Sequence, residues 1–151
     1  MRKNIKIVLV ALITFILDQF IKFIITTNLS IADTINVIKN FFRITYVENS
    51  GAAFSIFENS RVFLILLSIL ILSFIVYYIT KRKKYSKFEF IIYGTLIGGI
   101  LGNLIDRIRF GYVIDYLDFN FGSYSFPVFN LADIFIVISG IILMIKIMME
   151  E

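Results

Sequence analysis

The sequence predicts an all-α membrane protein, built as a bundle of four transmembrane helices with a short β element outside the membrane. Of its 151 residues, 59% are hydrophobic and the mean hydropathy is +0.89, whereas soluble domains average roughly 45–50% apolar residues. Apolar runs long enough to approach or cross a bilayer lie at about residues 5–25, 62–79, 88–105 and 131–149. The segment IKNFFRITYV, rich in β-branched and aromatic residues, predicts a strand or hairpin over residues 38–47. We expect residues 1–151 to form one integral-membrane domain.

Basic residues predict the orientation of this bundle. The segment TKRKKYSK at residues 80–87 carries five Lys and Arg between two apolar runs, and three more basic residues lie within positions 2–6. Loops rich in Lys and Arg remain in the cytoplasm, so we expect both termini inside and residues 28–61 and 106–130 outside. Because no small-x-small cleavage pattern follows the first run, we interpret it as a span rather than a signal peptide. Binding of anionic lipid is an alternative role for the basic loop.

The composition excludes several kinds of chemistry. The chain has no cysteine and no histidine, which excludes disulfides, thiolate nucleophiles, Ser-His dyads and histidine metal sites. Asp, Glu, Lys, Tyr and Ser are left to carry any reaction. We expect no cofactor and no metal. The net charge of +4 lies mainly beside apolar runs, so it indicates topology rather than a nucleic-acid partner.

Two acids stand out in the last third of the chain. Asp115 and Asp133 flank Pro127, the only proline, and Asp133 lies just inside the last apolar run. A carboxylate in or beside a membrane segment costs a few kcal/mol unless it is paired or protonated, so we interpret this position as functional. Asp118 is predicted to be a solvated loop charge.

Further polar residues lie at the ends of the predicted spans. Asp18 and Lys22 are four residues apart, which places them on one helix face as a candidate ion pair. Asp106 and Arg107 can be explained as caps of the third span at the water boundary. Asn103 lies one turn deeper in the same span, where this explanation does not apply. A bundle would bring the polar groups to a similar depth near the outer surface. Two carboxylates at close range share a proton, and one can then activate water while the other protonates a carbonyl.

Small residues indicate close packing at two places. Gly98, Gly99 and Gly102 have helical spacing and predict a close helix seam. The second cluster, at residues 49–53, predicts a turn that closes over a groove, and an ordinary turn is the alternative.

Five segments resemble, in order and over nearly the whole chain, the signature blocks of the lipoprotein signal peptidase family, also called signal peptidase II. They are DQFIK (18–22), ENSGAAFS (48–55), GGILGNLIDR (98–107), VIDY (113–116) and FPVFNLAD (126–133). Tyr116 stands where many members carry Phe, and Phe126 where some carry Trp. Both replacements are aromatic.

The resemblance implies an aspartic endopeptidase that removes signal peptides from bacterial prolipoproteins, cutting before a diacylglyceryl-modified cysteine. It implies a catalytic dyad of Asp115 and Asp133. It also implies a set of supporting residues, namely Asp18, Lys22, Asn49, Gly51, Asn103, Arg107 and Asn130. The family fold adds a small extracytoplasmic β-sheet cradle. Lipid-modified prolipoproteins and membrane lipids are the implied partners, the protein is expected to act as a monomer in the bacterial cytoplasmic membrane, and the site is expected near its extracytoplasmic face.

Two other classes of protein would also place acids within a helix bundle. A proton-coupled transporter would use them as proton carriers, but such proteins usually show internal repeats or matched broken helices, and the sequence has neither. A structural scaffold would use the acids as buried pairs, and it would tolerate joint replacement of Asp115 and Asp133 with a loss of stability alone.

Overall fold

The computed structural model describes residues 2–51, 60–82 and 85–150. Its elements follow in the order α1 (Arg2–Asn28), β1 (Thr34–Ile38), β2 (Phe42–Asn49), α2 (Arg61–Lys81), α3 (Lys87–Arg109), β3 (Val113–Phe121), β4 (Tyr124–Ser125) and α4 (Leu131–Glu150). Within the described ranges, four helices are long and apolar enough to cross a membrane, and four strands form an antiparallel sheet in the order β1-β2-β3-β4. The predicted fold class is therefore confirmed.

Two sequence predictions lie partly outside the described residues. The turn expected to close over a groove covers residues 49–53, of which 52 and 53 are not described. Two residues of the basic loop, Lys83 and Lys84, are likewise not described. Both predictions stay predictions.

Helix α3 is the central helix, and its glycines allow close approach of two neighbours. A Cβ on Gly98 would lie 2.6 Å from the carbonyl oxygen of Ala11 in α1, and a Cβ on Gly99 would lie 2.8 Å from that of Ala132 in α4. Real Cβ atoms essentially never approach other heavy atoms so closely, so these positions exclude larger residues. The predicted glycine seam is confirmed, and it brings α1 and α4 together against α3.

The β element predicted over residues 38–47 covers the end of β1, the turn and most of β2, so it is part of a hairpin. Strands β1 and β2 pair through Thr34↔Thr45 and Ile35↔Ile44, and Asn40 in the turn adopts a left-handed φ of 60°, which asparagine tolerates better than most residues. Strand β3 then pairs with β2, and two residues of β2 oppose one of β3 between Ile44 and Val47. Such a bulge bends a strand.

The prediction for Asp118 is wrong. Strand β3 extends past this residue and places it opposite Arg43 of β2. The Asp118 carboxylate is buried, lies 2.6 Å from an Arg43 guanidinium nitrogen and accepts a hydrogen bond from the Thr45 hydroxyl at 3.0 Å. Asp118 is therefore a paired residue of the sheet rather than a solvated loop charge, because the loop expected here is a strand.

Candidate active site

The two acids are carried by strand β3 and helix α4. Asp115 lies in β3 opposite Val47, and Asp133 lies in the first turn of α4. The segment between them folds back onto β3, because Leu117 and Phe129 exchange backbone hydrogen bonds of 2.7 and 3.1 Å. This return places the start of α4 beside the strand.

Asn130 contacts both acids. Its side-chain nitrogen donates to Asp115 Oδ1 at 2.6 Å. Its side-chain oxygen accepts from the Asp133 backbone N–H at 3.0 Å, and Asp133 Oδ2 accepts from the Asn130 backbone N–H at 3.2 Å. This reciprocal pattern is a helix N-cap, so the residue that starts α4 also orients the two carboxyl groups relative to each other.

The second oxygen of Asp115 is held from strand β2. Asn49 donates its side-chain amide to Asp115 Oδ2 at 2.8 Å and accepts from the Gly51 backbone N–H at 2.9 Å. The Gly51 carbonyl in turn accepts from the Arg107 guanidinium at 2.8 Å. Both oxygens of the Asp115 carboxyl therefore have donors, and the end of β2 is tied to α3.

Asn103 of α3 connects the second acid to the interior of the bundle. Its side-chain nitrogen donates to Asp133 Oδ1 at 2.7 Å. Its side-chain oxygen accepts from Asn130 at 3.2 Å and from the Lys22 ammonium at 3.0 Å. The amide of Asn103 therefore has a fixed orientation, with its nitrogen directed toward Asp133.

Behind Asn103 lies a buried ion cluster. Lys22 is 2.9 Å from Asp18 and 2.7 Å from Asp106, and all three side chains are almost fully buried. The expected pair of Asp18 and Lys22 is confirmed. The interpretation of Asp106 as a cap at the water boundary is wrong, because this acid pairs with Lys22 and also accepts from Gln19 at 2.8 Å. Asp18 further accepts from the Ala132 backbone N–H in α4 at 3.1 Å.

Sequence reasoning also missed two residues of this network. Gln19 joins α1 to Asp106, and the Tyr116 hydroxyl accepts from the Leu131 backbone N–H at 3.2 Å. Gln19 precedes Lys22 by three residues, which is the spacing of one helix face, so the helical pattern offered a signal for Gln19. The sequence carried no such signal for Tyr116, whose contact depends on the return of the chain onto β3.

The environment of Asp115 favours its neutral form. Burial and, to a smaller extent, the nearby Asp133 raise the pKa of Asp115 from 3.8 to about 7, although the donors from Asn49 and Asn130 oppose the rise. A carboxyl with this pKa holds or releases a proton near neutral pH, as general acid-base chemistry requires. Within residues 2–51, 60–82 and 85–150, no group of three or more Asp and Glu residues is placed to hold a metal ion.

The acids open into a cleft of about 710 Å³ between the sheet and α4. Its polar wall includes Asn49, Asn103, Arg107, Asp115 and Asp133, and its apolar wall includes Phe126, Pro127, Phe129, Val137 and Ile138. The Arg107 Nε is buried and has no hydrogen-bond partner among the residues that the structure describes. The structure thus brings all nine predicted site residues into one network, in which Lys22 contacts Asn103 and Asp18 contacts Lys22 from behind.

The fold and the cleft define a multi-pass membrane protein with a buried polar site at one end of its bundle. A sequence profile described as signal peptidase (SPase) II matches residues 10–149. The chain belongs to this family of membrane peptidases.

Individual relatives and solved structures agree with this assignment. The chain is 42% identical over 143 residues to a lipoprotein signal peptidase of Halothermothrix orenii, covering 95% of each chain. It is 44% identical over 138 residues to one of Caldanaerobacter subterraneus subsp. tengcongensis, covering 91% of each. Two solved structures, each described as a bacterial membrane enzyme, are similar to it. The first has a TM-score of 0.87 at 37% sequence identity, and the match covers 95% of this chain and 88% of the other. The second has a TM-score of 0.82 at 38% sequence identity, and the match covers 93% of this chain and 91% of the other.

Proposed function

We propose that this chain is an aspartic endopeptidase that cleaves the signal peptide from diacylglyceryl-modified bacterial prolipoproteins, just before the lipid-bearing cysteine. Asp115 and Asp133 form its catalytic dyad. The observation that carries the proposal is the position of Asn130, which hydrogen-bonds both carboxyl groups at the wall of one cleft. Membership of the signal peptidase II family supports the substrate class. The comparisons give the proton-coupled transporter no support.

The proposed reaction needs one proton on the pair. The ionised carboxyl removes a proton from a water molecule while the oxygen of that water attacks the carbon of the scissile carbonyl. The neutral carboxyl gives its proton to the carbonyl oxygen. The resulting gem-diol collapses when its C–N bond breaks. The carboxyl that took the proton from water gives it to the leaving amine, and the ionised carboxyl takes a proton from a gem-diol hydroxyl, which leaves the carboxylic acid product and restores one proton to the pair. The two acids titrate as a unit. The raised pKa of Asp115 supports a singly protonated pair near neutral pH.

The supporting residues have two kinds of role in this proposal. Asn49, Asn103 and Asn130 donate to the acids and fix their orientation. Arg107 holds the Gly51 carbonyl. Its Nε, which has no hydrogen-bond partner within the described ranges, is a donor that can bind the peptide or the lipid headgroup. The ion cluster of Asp18, Lys22 and Asp106 positions Asn103 from behind.

Substrate affinity comes largely from the bilayer. Each buried methylene of a lipid chain contributes about 0.8 kcal/mol, so the diacylglyceryl group concentrates the substrate at the membrane surface. The apolar wall of the cleft includes Val137 and Ile138 of α4, which are also exposed on the outside of the bundle. A lipid chain can therefore remain in the membrane while the peptide enters the cleft.

The proposed orientation places the site at the extracytoplasmic face of the bacterial cytoplasmic membrane. The residues Lys6, Lys81, Arg82 and Lys146 lie at the helix ends remote from the sheet, and basic ends stay in the cytoplasm. The proposal takes the monomer as the active form, and the hydrogen bonds among the described residues around the acids, all made within one chain, support it.

The test is cleavage by the purified protein in a bilayer, with two peptides that share a prolipoprotein cleavage sequence. One carries the diacylglyceryl cysteine and the other an unmodified cysteine. We expect cleavage of the lipidated peptide before its cysteine and far slower cleavage of the other. Equal rates for the two peptides would contradict the proposed substrate class even if the acids proved essential.

A further inference from the structure

The part of the sheet beyond the acids has one polar and one apolar face. The polar face carries Thr34, Asn36, Arg43, Thr45 and Asp118, which are cross-strand partners or hydrogen-bonded neighbours. Because side chains alternate along a strand, the residues between them point to the other side. That apolar face carries Ile35, Ile38, Phe42, Ile44, Leu117 and Phe119. The sheet is thus amphipathic, with the ion pair of Arg43 and Asp118 on the polar side.

Aromatic rings extend the apolar face at the tip of the sheet. Phe42 stacks on Phe119 with ring centroids 4.7 Å apart, and Phe41 lies 5.6 Å from both Phe119 and Phe121. These rings are not enclosed by the rest of the protein, since 55% of Phe121 and 40% of Phe41 remain exposed. A cluster of this kind in contact with water is unfavourable, and large apolar patches usually mark an interaction surface.

The apolar face is continuous with the membrane-facing surface of the bundle. Asp115 and Leu117 lie two residues apart on the same side of β3, so the face begins at the cleft. It continues through Phe129, which stacks on Phe119 at 5.7 Å, and through Phe126, which lies 5.6 Å from Phe129. Both of these rings line the cleft together with Val137 and Ile138 of α4, a helix apolar enough to span the membrane.

We propose that the apolar aromatic face of the sheet is seated in the interfacial layer of the bilayer, beside the membrane-facing side of α4. Aromatic residues favour this layer. The polar face with Arg43 and Asp118 is then directed to water. A protein partner on the same face would have to displace the lipid that adjoins α4, which is why the bilayer is the occupant that the continuity favours. This inference is independent of the catalytic proposal.

The chain contains no tryptophan, so one introduced tryptophan reports on its own position. Phe121→Trp places the probe on the aromatic tip, and Tyr124→Trp places a second probe beside it, since Phe121 and Tyr124 are register partners. Asn36→Trp is the matched control, because Asn36 is exposed on the polar face. Each full-length variant is reconstituted into phosphatidylcholine vesicles, with or without bromine atoms on the lipid chains close to the headgroup.

We expect the Phe121→Trp and Tyr124→Trp variants to emit at short wavelength and to lose most of their emission in brominated vesicles. The Asn36→Trp variant should emit at long wavelength and be quenched by aqueous iodide instead. Insensitivity of both tip probes to brominated lipid would overturn the proposal. A second result would also overturn the proposal, namely short-wavelength emission that brominated lipid does not quench but that varies with the ratio of protein to lipid. Such emission would indicate that a second copy of the chain covers this face.

Discussion

The side-chain nitrogen of Asn130 lies 2.6 Å from Asp115 Oδ1, and the same residue caps the helix that carries Asp133. The distance between the two acids is therefore coupled to the start of α4. A change that moves this helix start also moves the candidate dyad, so the rigid packing of α4 against α3 contributes directly to the geometry of the site.

The first prediction concerns the pH dependence of cleavage. Because the pKa of Asp115 is raised to about 7, the singly protonated pair is lost as pH rises through this value, and kcat/KM should fall. Asn49 donates to the Asp115 carboxylate and opposes the rise. In Asn49→Ala the pKa of Asp115 should therefore be higher, so the falling limb should move to higher pH while the maximal rate decreases. The measurement is kcat/KM from pH 5 to 9. If kcat/KM fell over the same pH range in Asn49→Ala as in the parent, this account of Asp115 would be contradicted.

The same shift predicts how stability depends on pH. A carboxyl whose folded-state pKa is raised stabilises the fold fully below its unfolded pKa of 3.8 and loses this contribution as pH rises through about 7. Three pKa units correspond to roughly 4 kcal/mol. In Asp115→Asn this contribution is absent, so the difference in Tm between variant and parent should change between pH 4 and 8, with the parent losing more stability. Parallel Tm curves for the two proteins would be inconsistent with the raised pKa.

A third prediction tests the glycine seam. A Cβ on Gly102 would lie 2.4 Å from Asp18 Oδ2, whereas a Cβ on Gly140 meets no atom within 4 Å. Gly102→Ala should therefore lower the free energy of unfolding by about 1–3 kcal/mol and should also reduce cleavage, because Asp18 holds the Ala132 backbone at the start of α4. Gly140→Ala is the matched control and should unfold like the parent or later. Thermal unfolding in detergent compares the two, and equal loss of stability would argue against the close seam.

The buried ion cluster gives a fourth prediction. Lys22→Met leaves Asp18 and Asp106 buried without their cation, and breaking a buried pair in this way costs about 3–5 kcal/mol. Adding Asp106→Asn removes one of the two uncompensated charges, so the double variant should recover part of the lost stability. Lys39→Met, at an exposed position, controls for loss of a surface charge. If Lys22→Met unfolded at the temperature of the parent, the cluster would have no structural role.

The sequence predicted those features that depend on residues near one another in the chain. The lengths of the apolar runs predicted the four spans, and the helical spacing of the glycines predicted the seam. The interval of four residues between Asp18 and Lys22 predicted their ion pair. The features it did not predict depend on distant partners. Asp118 is buried because Arg43 lies opposite it, and Asp106 is buried because Lys22 of another helix reaches it. No local pattern indicates such partners, since an acid next to water and an acid paired across the fold have the same neighbours in sequence.

The central claim is that Asp115 and Asp133 perform the hydrolysis, and the most direct measurement is the turnover of a diacylglyceryl-modified peptide by Asp115→Asn and Asp133→Asn. Each substitution keeps the shape of the side chain and replaces its ionisable carboxyl group by an amide that cannot take up or release the proton. Asp33→Asn is the control, because Asp33 is exposed and lies outside the site. Asp118→Asn is unsuitable for this purpose, since it breaks a buried ion pair. The account predicts that both dyad variants insert and fold but lose cleavage, while Asp33→Asn retains it. Substantial turnover by either folded dyad variant would contradict the claim.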